Sequence, residues 1–262
     1  AEVVQLISPQ VVSEIIQYND GEVRNEDSQI FVMEHTRSAS LMKLESEGYS
    51  QIVVAQKAGG DNTVRITGAH GYTSEFRLKV KDGFTGNIVL QNASFTGDRD
   101  EPCIDCGENT DIHIVFEGRN LCRNGGIKVP ESSRVTFVGN GDMKIQVNGS
   151  TYYGIGNDVK SRHGTMKFKQ DGAVSIDANG VNGVAIGAGY GGSIRMEKGR
   201  YDICVTGENG VGIGSIHTPV DLRLLRCDID LEFDAAKGVA IGSTREHADI
   251  MVRNTSIALR GS

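Results

Sequence analysis

The segment Val184-Ala185-Ile186-Gly187 returns as Val211-Gly212-Ile213-Gly214 and again as Val239-Ala240-Ile241-Gly242. A tetrapeptide that recurs at a near-constant distance constrains the fold strongly, because each copy has to occupy the same place in the same structural unit. Ile213 follows Ile186 by 27 residues and Ile241 follows Ile213 by 28, while Tyr153-Gly154-Ile155-Gly156 lies 31 residues ahead of the Ile186 copy. Degenerate copies at Ile127 and Ile104 extend the series toward the N-terminus.

Two further series run in phase with this one. Ile114, Phe137, Phe168, Met196, Leu224 and Val252 mark an alternating segment after each anchor. A third alternating segment follows at Met143/Ile145, Val174/Ile176, Ile203/Val205, Ile229/Leu231/Phe233 and Ile257/Leu259. Each repeat thus holds three short period-two stretches separated by Gly, Asn and Asp, too short for helices and patterned as strands. Three strands per repeat with no helical slot predict an all-β fold, a right-handed single-stranded parallel β-helix of period about 28 and roughly eight coils.

Residues 1–50 stand outside the series and are expected to form an N-terminal cap segment, with residues 51–262 as the β-helix. Ser8-Pro9 reads as a helix start, Val11, Val12, Ile15 and Ile16 as its apolar face, and Asn19-Asp20-Gly21 as its stop. A strand-like stretch follows at Gln29 to Glu34 and a weakly helical one at Ser38 to Glu47. At the other end Ile257 and Leu259 are still strand residues, which predicts that the last coil is covered by another subunit or by continuation of a longer chain.

Charge and composition narrow the function. A net charge of -7 with scattered Lys and Arg disfavours nucleic acid, which needs a basic stripe to neutralise phosphates. No run of 18 apolar residues is present, so membrane insertion by a helix is not expected. There is no Trp, which argues against a groove paved with aromatic platforms. Cys103-x-x-Cys106 has no second such pair, so no metal or cofactor is expected, and Cys106 reads as a small inward residue in the column of Val129 and Ala188.

Strict alternation around the anchor isoleucines places Tyr153, Val184, Val211 and Val239 inward. It leaves Gly154, Ala185, Gly212 and Ala240, together with Gly156, Gly187, Gly214 and Gly242, on the outside. Such a bare strip would run roughly 15 Å over four coils at the strand spacing. It predicts either a tight bend or covering backbone, or close approach of a flat ligand. The turn after this strand concentrates polar groups in successive coils: Asn157, Asp158, Lys160, Arg162 and His163, then Tyr190, then His217 and Thr218, then Arg245, Glu246 and His247. Asp158, Lys160, Arg162, His163, Tyr190, His217, Arg245 and His247 are the candidate ligand-binding residues. In an enzyme, His163 or His217 would move a proton while Arg162, Lys160 and Arg245 clamp a uronate carboxylate. The alternative is that they are ordinary solvated turn residues.

The stretch Gly-Val-Ala-Ile-Gly-Ala-Gly-Tyr-Gly-Gly-Ser-Ile-Arg-Met (183–196) resembles glycine-rich repeats in surface proteins of gut-type Gram-positive bacteria, and the coils from Asn87 to Glu131 are similar to those that precede such repeats. The resemblance spans roughly residues 50–262. It implies a parallel β-helix of the kind labelled a carbohydrate-binding domain, at the cell surface or outside the cell, and brings no catalytic motif with it. The expected function is a non-catalytic module that binds polysaccharide or glycan, or adheres to a protein surface. A polysaccharide lyase, glycoside hydrolase or epimerase on the same fold, and a structural spacer or homo-oligomeric assembly unit, remain as alternatives.

Overall fold

The computed structural model describes residues 22–24, 29–55, 62–98, 101–148, 153–245 and 247–261. Its strands fall into three sheets of 10, 9 and 7 strands, and successive coils visit them in one order. Tyr153–Gly156 in the first sheet is followed by Thr165–Phe168 in the second and Ala173–Asn179 in the third. The chain then returns to the first sheet as Val184–Ala188. Among the described strands the pairing is parallel, except where Glu22–Arg24 lies antiparallel to Gln29–Met33. The product is an all-β parallel solenoid of about eight turns with a period near 27 residues.

The three sequence series are the three stacking columns. Ile104, Ile127, Ile155, Ile186, Ile213 and Ile241 pair in unbroken register along the first sheet. Ile114, Phe137, Phe168, Met196, Leu224 and Val252 do the same along the second. In the third, Ile145 stacks on Ile176, Ile203, Leu231 and Leu259. Register is fixed because a one-residue slip would turn each of these side chains out of the core. Within that core Phe137 stacks between Phe116 and Phe168 with ring centroids 5.8 and 4.8 Å away.

The stacking reaches further toward the N-terminus than the repeat pattern suggests. Gln29–Met33 pairs in parallel with Gln51–Val54, and Ser38–Ser40 with Thr63–Thr67, so ladder pairing starts ahead of residue 51. The third sheet starts only at Ser94–Thr96, one reason the early coils break the three-strand pattern. The weakly helical stretch is a strand followed by the helix Leu41–Ser46, whose first turn is capped by the Ser40 hydroxyl accepting from the Lys43 amide at 3.4 Å. Leu41 and Leu44 bury against the core. The helix expected at Ser8-Pro9 lies outside the described residues.

The bare outer strip is not there. Ala185 is fully buried in the main core together with Ile186, so two consecutive residues face inward. A Cβ on Gly154 would come within 2.7 Å of the Ile176 side chain, and one on Gly212 within 2.7 Å of Leu231. The strand therefore bends toward the third sheet here, and the small residues make room for that sheet's isoleucine and leucine. Val184 and Val211, expected inward, instead form a separate cluster with Ile216, against which Tyr153 and Val159 pack. The glycine column has its own cause: Gly156, Gly187, Gly214 and Gly242 sit at φ between 132° and 145°. For the first three a Cβ would collide with the carbonyl of the next coil.

All five cysteines are free thiols. Cys106 is inside the core as expected, and burial, with the nearby Asp105 carboxylate, pushes its thiol well above the ordinary range.

Candidate functional site

Each coil leaves the first sheet through a turn, and these turns stack. Ser161 O accepts from the Tyr190 amide at 2.9 Å, Gly191 O from the His163 amide at 2.9 Å, and Gly189 O from the His217 amide at 2.8 Å. The turn at residues 157–164, between Tyr153–Gly156 and Thr165–Phe168, is held by its own side chains. Asn157 donates through Nδ2 to the Arg162 carbonyl at 2.8 Å, and Asp158 accepts from the Lys160 amide at 2.8 Å. Asp158 is thereby occupied in shaping the loop, while Lys160 and Arg162 project outward from it.

Glu108, Glu131, Asn157, Lys160, Ser161, Arg162 and Tyr190 line a surface groove of about 470 Å³, contributed by four successive coils. That volume lies within the range of about 300–1,000 Å³ typical of ligand sites. At one end the Glu108 carboxylate accepts from the Ser132 hydroxyl of the next coil. Arg162 Nε stands 3.9 Å from Glu131 Oε1 with both groups exposed, a loose pair that leaves most of the guanidinium donors free. Lys160 has no ion-pair partner among the described residues. At the other end the Tyr190 ring is 40% exposed and packs on His217, with centroids 4.8 Å apart and planes tilted by 43°.

Of the residues expected from the sequence, the structure brings Lys160, Arg162 and Tyr190 into the groove and sets His217 behind Tyr190. His163 points elsewhere. It is 2% exposed, its Nδ1 donates to the Gly164 carbonyl at 2.7 Å, and its Nε2 has no partner. Burial draws its pKa down to about 4, against a smaller opposing pull from the Gly164 carbonyl. A neutral ring closed off from solvent in this way cannot reach a bound substrate, so the proton-transfer role considered for it has no geometric basis. Arg245 and His247 are exposed on a later turn, beyond the groove's lining.

Glu108, Glu131 and Ser161 are the lining residues the sequence reading left out, while Asn157 was named there only as part of the polar turn. A signal for the first two exists: Glu108, Glu131, Tyr190, His217 and Arg245 each stand four residues after an anchor isoleucine. Among the described residues no group of three or more His, Cys, Asp and Glu is placed to hold a metal, and no helix is long and apolar enough to cross a membrane.

Fold and groove together define a parallel β-solenoid with a polar, mixed-charge cleft along one corner. No protein-family model, no curated protein and no solved structure matches the chain.

Proposed function

We propose that this protein is a non-catalytic carbohydrate-binding module that uses the corner groove to attach to glycan, in keeping with a place at a cell surface or outside the cell. The observation that carries the reading is the exposed Tyr190 ring, backed by His217, facing a groove whose other walls are hydrogen-bonding side chains. Sugars present an apolar ring face and a rim of hydroxyls. An aromatic ring takes the first, and carboxylate, amide, hydroxyl and cationic groups take the second. The combined supply of acceptors from Glu108 and Glu131 and donors from Lys160, Ser161 and Arg162 suits hydroxyls, which need both.

The test is depletion of the protein onto a panel of purified plant, host and microbial polysaccharides, with oligosaccharide release followed by mass spectrometry. Depletion that Tyr190→Ala reduces about tenfold, with no released product, is the expected result, since such a contact supplies the order of 1 kcal/mol or more. Released oligosaccharides would replace the binding module with an enzyme. No depletion on any polymer would remove the reading.

A further inference from the structure

Resting on that carbohydrate reading, we infer that the ligand is a linear, carboxylate-bearing glycan running along the solenoid axis, held at two points three coils apart. The positions four residues past the anchors form a column: Glu108, Glu131, Val159, Tyr190, His217 and Arg245. Turn stacking continues beyond the groove, because the Thr244 hydroxyl and amide bond to the Ile216 and Ser215 carbonyls of the turn before it. Arg245 thus extends the line of Tyr190 and His217.

Cations occur at two places in this line. Lys160 and Arg162 crown the turn at residues 157–164, and Arg245 stands three turns later, roughly 14 Å away at the inter-strand spacing of about 4.8 Å. Neither Lys160 nor Arg245 has an ion-pair partner among the described residues, and Arg162 is only loosely engaged at 3.9 Å. Between the two cationic points lies the Tyr190–His217 ring pair. An extended pyranose chain repeats at close to the strand spacing, so successive sugars can keep step with successive coils. Rings then lie against Tyr190 and His217 while carboxylates at either side meet the cations. Guanidinium groups suit this because they pair with carboxylates through two parallel hydrogen bonds. Glu108 and Glu131 close the column at its other end, where they repel a carboxylate and accept from hydroxyls, which fixes where the charged units lie.

Two properties separate this ligand from a small or neutral sugar. Affinity must rise with chain length until the chain spans both cationic points, and it must depend on the carboxylates. The experiment is calorimetric titration of the full chain with oligomers of two to eight residues. One set comprises galacturonate, mannuronate and hyaluronan oligomers, the same oligomers after methyl esterification, and the other comprises neutral cello-, manno- and chito-oligomers. At least one uronate series is expected to gain about tenfold between three and five residues and to lose it on esterification. Arg245→Gln should weaken the five-residue oligomer about tenfold and leave the two-residue one unchanged, while Lys160→Gln and Arg162→Gln weaken both.

Neutral or esterified oligomers that bind as well as the uronates would overturn this inference and leave the carbohydrate reading standing. So would an affinity that does not respond to length or to Arg245→Gln. Failure of every oligomer of both kinds to bind would overturn both.

Discussion

Gly187 is at φ 140° between Gly156 at 144° and Gly214 at 145°. In that conformation an added Cβ points at the Gly214 carbonyl, part of a neighbouring coil that cannot move without breaking its own ladder. Gly187→Ala is expected to cost on the order of 3 kcal/mol or more, measured by urea unfolding, since strain and steric clash add. Gly83→Ala is the control: its φ is 79° but nothing lies within 4 Å of the added Cβ, so the loss should stay near 1 kcal/mol. His163 makes a second prediction. Folded, it stays neutral down to about pH 4, whereas unfolded it takes a proton near its ordinary value of 6.5. The unfolded chain therefore binds more protons between those values. The contribution is complete above pH 6.5 and is lost as pH falls toward 4, by on the order of 3 kcal/mol. Measured against His163→Gln, which does not titrate, the wild type should lose ground over that window, and a constant difference would remove the explanation. His163's burial was not legible in the repeat, and Gly187's role only as far as the tight bend or covering backbone that its column of small residues predicted. Alternation told which residues face inward along a straight strand, but Ala185 and Ile186 both face inward because the strand bends, and a period-two rule has no term for a bend.

At the scale of strands and turns the repeat was legible almost in full, because an in-register ladder writes itself into the sequence as a constant spacing. The second-sheet column from Ile114 to Val252 is the clearest case. Its central member, Phe137, is fully buried between two other rings, so Phe137→Ala should cost about 3–5 kcal/mol while Phe137→Leu costs less. The turn from the second to the third sheet shows a different economy. Asn92, Gly118 and Asn254 occupy it at φ 49°, 64° and 50°, residues that tolerate the left-handed region, yet Arg226 sits there at 52°. Arg226 is exposed, so little packing opposes its replacement. Arg226→Asn is expected to raise stability by about 0.5–1 kcal/mol in urea unfolding. No change would mean that the arginine side chain offsets its own backbone strain. What spacing could not supply was where stacking begins. Phe31 pairs with Ile52 in the first sheet although the segment around it shares no motif with the repeats, because a strand needs only an apolar face and a neighbour to join a ladder.

The whole molecule is a one-dimensional stack, and its site follows from that. The groove's side chains come from turns, which carry no hydrophobic period, so the sequence singled out a turn that lines the groove but not which of its side chains face it. Lys160 and Arg162 project into the groove, whereas His163, one residue on, is sealed beneath it. Only the four-residue offset from the anchors links Glu108 and Glu131 to Tyr190. The same stacking governs how disturbances spread. In the first sheet Ile186 pairs directly with Ile213, whereas Ile104 is separated from Ile213 by Ile127, Ile155 and Ile186. At about 4.8 Å per step that separation is near 19 Å, beyond the range over which substitutions share a cavity. Ile186→Val and Ile213→Val each open space on the same pair of coils, so side chains relaxing into one alter the other. Their combined cost in urea unfolding should depart from the sum by about 0.5 kcal/mol or more, while Ile104→Val with Ile213→Val should add within about 0.3–0.5 kcal/mol. Coupling equal for the two pairs would mean that strain travels the length of the solenoid. Coil-by-coil additivity is what allows turns to vary along one corner, Glu108 to Arg245, without disturbing the ladder that holds them in line.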